Sequence, residues 1–262
     1  MVCAAVPIGT LLAKDAADYA HRGVELAKKG DYDAAAEQFS LAIKESPKTA
    51  TYYSNRGKAY RAAGKLEEAA EDFTKVIDLD SDNADAYSER GKVKASQKKY
   101  DEAIEDLNKA IKLDDNDLDS YRFRGFAYLA KNEYDKAIDD YSEVLKHKSD
   151  DKAALERRGF AYRSAEKYKE AIEDFTKLID ESPKDAEAYR RRGYAYNLSK
   201  DYAKAVADYK KVLELKPGDA DADTRLKAAQ ARLDIENASP SPGASSAPTG
   251  SAPAPAASPH TP

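Results

Sequence analysis

The sequence predicts an all-α fold, a solenoid of antiparallel helix pairs, on three observations. An Arg-Gly pair recurs every 34 residues, and an internal period of this length indicates one helical unit copied along the chain. Each copy contains two stretches in which apolar residues recur at helical spacing. The composition, 42% hydrophobic and 35% charged without tryptophan, suits helix pairs with wide solvated faces better than one thick core. The pairs begin at Arg22, Arg56, Arg90, Arg124, Arg158 and Arg192.

The repeats divide the chain from Ala16 to Asp219 into six units without insertions or deletions. The units are 16–49, 50–83, 84–117, 118–151, 152–185 and 186–219, and positions are counted from the first residue of each. Proline near the end of a unit breaks the helix, whereas Ser, Asp and Asn suit a turn and the next N-cap. These residues are Pro47, Ser81, Asp115, Ser149, Pro183 and Pro217.

The first helix of each unit carries glycine at position eight, on one face with large residues at positions four and eleven. Position four is Tyr19, Tyr53, Tyr87, Tyr121, Leu155 and Tyr189, and position eleven is Leu26, Tyr60, Lys94, Tyr128, Tyr162 and Tyr196. Glycine costs about 1 kcal/mol relative to alanine inside a helix. We therefore expect its purpose to be steric, because it lets the neighbouring helix approach closely.

The second helices carry alanine at position 20 and a large residue at position 24. The large residues are Phe39, Phe73, Leu107, Tyr141, Phe175 and Tyr209. Together, the Tyr, Gly, Ala, Phe and Pro positions resemble the tetratricopeptide repeat family over about four-fifths of the chain. Departures are Lys94 at an aromatic position and three units without the final proline. The resemblance implies a right-handed superhelix that binds peptide segments of partner proteins in its concave groove, without catalysis or a cofactor.

Three segments lie outside the six units. Residues 1–15 are largely apolar and are either the remnant of a signal peptide without its basic start or a segment that packs on the first repeat. The protein would be periplasmic or exported in the first case and cytoplasmic in the second. Residues 220–235 are expected to form a capping helix over the last repeat. Residues 236–262, rich in Pro, Ala and Ser, are expected to be a disordered tail, either a solvated spacer or a ligand for proline-binding domains.

The composition disfavours several classes of function. The net charge of −5 gives no overall basic field for nucleic acid, and no apolar run is long enough for a membrane span. A single cysteine, Cys3, and three scattered histidines offer neither a metal site nor a nucleophile with its base. The acidic run 114–117 lacks the ligand spacing of a calcium loop and is expected to be an inter-repeat turn. We therefore expect a protein without catalytic residues, cofactor or metal.

The arginine at position seven recurs with an aspartate at position 23 of the same unit. We predict that these side chains form a ladder of buried or half-buried ion pairs, because a site for one ligand need not repeat in every unit. The predicted pairs are Arg56 with Asp72, Arg90 with Asp106, Arg124 with Asp140, Arg158 with Asp174 and Arg192 with Asp208.

The candidate binding residues follow from the resemblance, since the family's concave face comes from the first helices. In the C-terminal half this face interleaves rings with cations: Phe123, Phe126, Phe160 and Tyr194 with Arg122, Arg157, Arg163, Arg190 and Arg191. The N-terminal half is small and mildly basic, through Lys58, Arg61 and Lys92. Exposed aromatic and arginine side chains typically anchor interfaces. The leading contacts are Phe126, Phe160, Tyr194, Arg122 and Arg190, unless neighbouring helices cover the rings.

These residues favour a partner peptide with acidic and apolar groups. The Hsp70 and Hsp90 C-terminal carboxylate is disfavoured as a ligand. Of the family's clamp residues only Asn55 is present, and Asp85 and Glu89 would repel a carboxylate. The alternative function is binding of RNA or single-stranded nucleic acid along the arginine and aromatic rows. The partner's identity is not predicted.

Overall fold

The computed structural model describes residues 15–238 and folds them into thirteen consecutive α-helices. The leader with its possible signal peptide, except for Asp15, and the tail from Ser239 onward lie outside the described residues.

Two helices form each of the six units. The first helices are α1 (Ala16–Lys28), α3 (Ala50–Ala62), α5 (Ala84–Ser96), α7 (Leu118–Ala130), α9 (Lys152–Ser164) and α11 (Ala186–Leu198). The second helices are α2 (Tyr32–Glu45), α4 (Leu66–Leu79), α6 (Tyr100–Leu113), α8 (Tyr134–His147), α10 (Tyr168–Glu181) and α12 (Tyr202–Leu215). The last helix is α13 (Ala220–Ala238).

Each helix packs mainly on the helices before and after it in the chain. Within residues 15–238 there is no β-strand. The prediction of an all-α solenoid of antiparallel helix pairs is therefore confirmed. Each of these helices is also too short or too polar to serve as a membrane span.

The turn inside each unit requires a left-handed residue at position 15. In the first two units this residue is glycine, with φ of 85° at Gly30 and 79° at Gly64. In the other four units it is a residue with a side chain, although the φ angles remain between 60° and 67°. These residues are Lys98, Asn132, Glu166 and Lys200. The local strain of a non-glycine residue in this conformation is about 1–2 kcal/mol.

Aspartate or asparagine caps most first helices. The Asp151 side chain accepts a hydrogen bond from the Ala154 amide at 2.8 Å, and Asn83 accepts one from the Ala86 amide at 3.0 Å. Asp117 ends the acidic run and accepts from the Asp119 amide at 3.1 Å. The expectation that this run is a capped inter-repeat turn is therefore confirmed.

The glycine at position eight lies against the large side chain at position 24 of its own unit. A β-carbon at Gly125 would lie 3.1 Å from the Tyr141 ring, and one at Gly91 would lie 2.7 Å from Leu107 Cγ. The position-24 side chains are nearly or fully buried. The expected steric purpose is confirmed, since any larger residue would push the two helices of the unit apart.

The predicted Arg–Asp ladder is present in the second to the sixth unit. In the pair of Arg124 and Asp140, the guanidinium donates two hydrogen bonds to the carboxylate, of 3.0 and 2.6 Å. The same arginine donates to Asn108 of the preceding unit at 2.7 Å, so the ladder also joins neighbouring units. In the third unit Lys94 takes part, with its Nζ 2.9 Å from Asp106.

The helix α13 packs on α12 at the end of the solenoid. Ala229 is fully buried against Val206 and Tyr209, with Leu226 and Leu233 packed alongside. The helix runs to Ala238 rather than Ile235, the boundary expected from the apolar spacing. Residues 220–239 contain no proline or glycine that would end the helix earlier. Pro240 is the first proline after α13, and the residue before a proline disfavours the helical conformation.

Candidate functional site

The first helices of the last three units surround an open cavity of about 670 Å³. Phe126 of α7 and Phe160 of α9 line it, and Phe175 of α10 reaches it from the second-helix layer. We call this cavity, with the Arg157 and Arg163 side chains on its wall, the C-terminal groove. It brings together five of the residues that the sequence analysis placed on the concave face: Phe126, Phe160, Arg157, Arg163 and Arg191.

The predicted rings differ in how far they are exposed. Phe160 is 42% exposed, which is unusual for a phenylalanine with no polar atom to solvate. Phe126 is half-buried, packs on the cluster around Leu107 and meets the Tyr100 ring edge-on at 6.2 Å. Phe123 belongs to the same cluster and lies under the Lys92 ammonium group at 5.7 Å. Phe160 is therefore the ring most available to a partner.

Arg122 and Arg190 are held by acidic side chains of the chain itself. Arg122 lies 2.6 Å from Asp151 and 2.7 Å from Asp119. Arg190 bonds to Asp219 and lies 2.7 Å from Glu187. The two arginines share position five and their partners Asp151 and Asp219 share position 34. The repeat of arginine at position five with aspartate at position 34 could have predicted these two ion pairs, which the sequence analysis did not include.

Acidic side chains also engage Arg191 and Lys58. Arg191 lies 3.3 Å from Glu156 and 3.1 Å from Glu187, both on the cavity wall. Lys58 lies 3.2 Å from Asp85 and lines a separate cavity near the N-terminus, of about 360 Å³. Most of the basic row is thus neutralised within the solenoid.

The two cavities are separated where α5 and α7 meet, because these first helices pack more closely than other neighbouring first helices. Small side chains permit the approach: Ser120 is fully buried and its hydroxyl lies 2.9 Å from that of Ser88. Lys92 is buried beside the contact and lies 3.2 Å from Glu89, which also meets Arg61 at 3.1 Å. Lys58 and Lys92 therefore do not join the aromatic set in one site.

Two guanidinium groups of the C-terminal groove have no carboxylate partner among the described residues. Arg157 lies over the Phe126 ring at 5.3 Å. Arg163 lies between Phe160 and Tyr194, 4.9 Å from each ring centroid. Burial lowers the pKa of Arg163, and the nearby cations of α11 and α13 lower it further. These two arginines can therefore accept an anion without giving up an internal ion pair.

The Tyr141 phenol lies next to Arg157 of the C-terminal groove but does not line the cavity. Tyr141 is fully buried at position 24, and its hydroxyl has no hydrogen-bond partner in the described part of the chain. Burial raises the pKa of this phenol, and the neighbouring Arg157 opposes the rise. In the sequence, this buried hydroxyl is indicated by a tyrosine at position 24, where three other units have phenylalanine.

Within residues 15–238 no three His, Cys, Asp or Glu side chains lie close enough to hold a metal ion. The groove offers aromatic surface and guanidinium groups, which suit recognition of an extended ligand with apolar and anionic groups.

Comparison with protein-family models identifies the repeats. Models described as tetratricopeptide repeat match residues 19–49, 84–117, 124–184 and 157–220, and one described as TPR repeat matches 57–98. No curated protein is significantly similar in sequence to the chain.

Solved structures with the same fold cover most of the solenoid. YrrB, described as a TPR protein with an unusual peptide-binding site, is 24% identical, with 73% of this chain and 99% of that chain covered and a TM-score of 0.67. A MamA structure is 29% identical, with 63% and 96% covered and a TM-score of 0.59. A TPR protein from Parabacteroides merdae is 22% identical, with 85% and 91% covered and a TM-score of 0.65.

Proposed function

The chain belongs to the tetratricopeptide repeat family and has the fold of a protein–protein interaction scaffold; we propose that it is a non-catalytic scaffold that binds a peptide segment of a partner protein in the C-terminal groove. One observation carries the proposal. Arg163 lies half-buried between Phe160 and Tyr194 without a carboxylate partner in the described chain.

A desolvated guanidinium group is costly unless an anion compensates it. The rings on either side would cover the apolar part of a ligand while Arg163 takes its acidic part. The ligand is therefore expected to carry both acidic and apolar side chains, as an acidic peptide segment does. Phe126, Phe160, Arg157 and Arg163 form its central contacts in this proposal.

A displayed library of random short peptides tests the proposal directly. We expect the selected peptides to be enriched in Asp or Glu together with large apolar residues. Phe160→Ala should weaken their binding by about tenfold, which corresponds to about 1.4 kcal/mol. The melting temperature of the Phe160→Ala variant should stay nearly unchanged, because the Phe160 side chain is 42% exposed. Phe126→Ala should also weaken binding, with some loss of stability because Phe126 packs on a buried cluster.

Leu79→Ala is the matched control, since Leu79 is 36% exposed and lies outside the cavity. It should leave peptide binding unchanged. Selected peptides that bind Phe160→Ala as tightly as the unaltered protein would contradict the proposal.

The second candidate function is nucleic-acid binding through the same rings and arginines. The position of Arg163 between two rings favours it, because bases stack on aromatic rings and on guanidinium groups. It is weaker because Arg122, Arg190 and Arg191 are paired with the chain's own carboxylates, which leaves no continuous row of free cations for a phosphate backbone. A salt titration with fluorescent single-stranded RNA separates the two functions. If the protein does not bind RNA at low salt, nucleic-acid binding is excluded as its function.

A further inference from the structure

The last helix, α13, retains one arginine of the concave face. It is in register with the first helices of the six units, and its positions are counted from its own first residue. Position six is arginine in α9, α11 and α13, and the first two of these, Arg157 and Arg191, line the C-terminal groove. The Arg-Gly pair at positions seven and eight, present in all six units, is replaced in α13 by Leu226 and Lys227. These replacements suit a helix that ends the stack, whereas Arg225 at position six matches the groove arginines.

Arg225 also repeats a contact that Arg157 makes two units earlier. The Arg157 guanidinium lies over the ring at position nine of the preceding first helix, Phe126, at 5.3 Å. The Arg225 guanidinium lies over the ring at the same position of α11, Tyr194, at 5.0 Å. The Tyr194 ring also has the Arg163 guanidinium at 4.9 Å. The row of alternating rings and guanidinium groups therefore continues from α9 across α11 to α13.

The internal partner of Arg225 is an exposed carboxylate. The Arg225 Nε donates to both oxygens of Asp221, each at 2.9 Å, and the two side chains are 38% and 50% exposed. Exposed ion pairs within one helix contribute little to stability, so an acidic group of a ligand can replace Asp221 with little loss. The charge of Arg225 also reaches Arg163, since burial lowers the Arg163 pKa and the charges of Arg191 and Arg225 lower it further.

From this arrangement we infer that the binding face extends onto α13 and that Arg225 binds an acidic group of the partner peptide beside Tyr194. The inference rests on the proposed function and adds a binding residue from the helix that closes the solenoid. In this arrangement the peptide covers Phe160 with its apolar side chains, and Asp221 competes with its acidic group for Arg225.

A pair of peptides tests the role of the Arg225 charge. The probe is the tightest-binding peptide selected from the displayed library, and its comparison peptide carries Asn and Gln in place of every Asp and Glu. Arg225→Gln should weaken binding of the probe about fivefold, because it removes a charge-assisted hydrogen bond. The same variant should bind the comparison peptide as the unaltered protein does. Fluorescence anisotropy with labelled peptides measures both affinities.

Lys227→Gln is the matched control. It removes the same charge from the same helix and breaks an exposed pair of the same spacing, between Lys227 and Asp223 at 2.6 Å. Position eight faces the second helix in the six units rather than the groove. Lys227→Gln should therefore leave binding of the probe unchanged.

Removal of the internal competitor should have the opposite effect. Asp221→Asn frees Arg225 and should tighten binding of the probe about twofold, whereas Asp223→Asn should have no effect. Circular dichroism checks that each variant is folded. If Arg225→Gln is unfolded, Asp221→Asn decides alone: tighter binding supports the inference, and unchanged or weaker binding overturns it.

The outcomes separate the two proposals. Peptides that require Phe160 but bind Arg225→Gln and Lys227→Gln equally would overturn the extension onto α13 and leave the scaffold function standing. An Arg225→Gln loss that is the same for the probe and its comparison peptide would show that Arg225 only packs on Tyr194, and would also overturn the extension. Library peptides that do not require Phe160 would overturn both proposals. A loss confined to the acidic probe and to Arg225→Gln would support both.

Discussion

Arg124 and Asp140 form a two-bond ion pair across the two helices of one unit, and Arg124 adds a third bond to Asn108 of the unit before. The Asp140 carboxylate is nearly inaccessible to solvent, with its side chain 4% exposed. A buried charge of this kind stabilises the fold only while its partner is present.

Arg124→Ala should therefore lower the free energy of unfolding by about 3 kcal/mol, because it leaves the Asp140 carboxylate buried and unpaired. Urea denaturation followed by circular dichroism measures the change. Lys167→Ala, which breaks an exposed pair with Asp135, is the control and should cost less than about 1 kcal/mol. Replacing both members, by Arg124→Met with Asp140→Leu, should recover much of the loss. An equal loss for Arg124→Ala and Lys167→Ala would contradict this account.

Glu166→Gly should stabilise the protein by about 0.5–1 kcal/mol, because glycine adopts the left-handed conformation without strain but is more flexible when unfolded. Glu166 has φ of 61° and makes no ion pair among the described residues. The reverse change at the matching position, Gly64→Ala, should destabilise the protein by about 1 kcal/mol. Thermal denaturation of both variants checks the prediction, and a lower melting temperature for Glu166→Gly would refute it.

Gly91→Ala should lower the free energy of unfolding by about 1–3 kcal/mol in spite of alanine's better helix propensity. The new methyl group would lie 2.7 Å from Leu107 Cγ and 3.2 Å from the Ala103 carbonyl oxygen. The double variant Gly91→Ala with Leu107→Ala tests the cause. If the clash is responsible, the double variant loses less stability than the sum of the single variants, whereas strict additivity would exclude the clash.

The stability that Asp151 contributes should disappear at low pH. Burial alone would raise the pKa of Asp151, but the Ala154 amide and Arg122 outweigh it and hold the pKa below its usual value. A carboxyl with a lowered folded-state pKa stabilises the fold above its unfolded-state pKa, near 4, and loses this effect as the pH falls through the folded-state value.

Asp151→Asn should therefore be about 1–2 kcal/mol less stable than the unaltered protein at pH 7, and the difference should vanish by about pH 2. Denaturant midpoints at both pH values measure the difference. Asp150→Asn changes the neighbouring exposed residue and should have no effect at either pH. A deficit for Asp151→Asn that persists at the lower pH would show that the charge is not its source.

The fold and the ladder could be predicted because the repeats present the same relationship several times. The pair of Arg56 and Asp72 taken alone would be one of many possible ion pairs. Four further pairs at the same two positions make a common geometry the simplest explanation. The same argument explains the glycine at position eight, since the close approach of the neighbouring helix accounts for a residue that weakens the helix in every unit.

The binding residues were harder to predict because each occurs once. Arg122 and Arg163 are both arginines on first helices, yet Arg122 meets Asp151 whereas Arg163 meets only rings. The difference depends on which side chains neighbouring units present, which helical spacing within one unit does not determine. The sequence marks Tyr141 as the large residue of its unit, but whether its hydroxyl finds a partner among the described residues depends on packing that the sequence pattern does not specify.

The third bond of each ladder arginine has a consequence for how the gene could have grown. Each unit contains both members of its own ion pair. From the preceding unit it needs only a side-chain oxygen at position 25 that accepts the third hydrogen bond, and serine, threonine and asparagine all provide one. A unit copied by tandem duplication would therefore bring both the arginine and the aspartate of its buried ion pair. The array could lengthen by whole copies while the residues at its ligand-facing surface diverged independently.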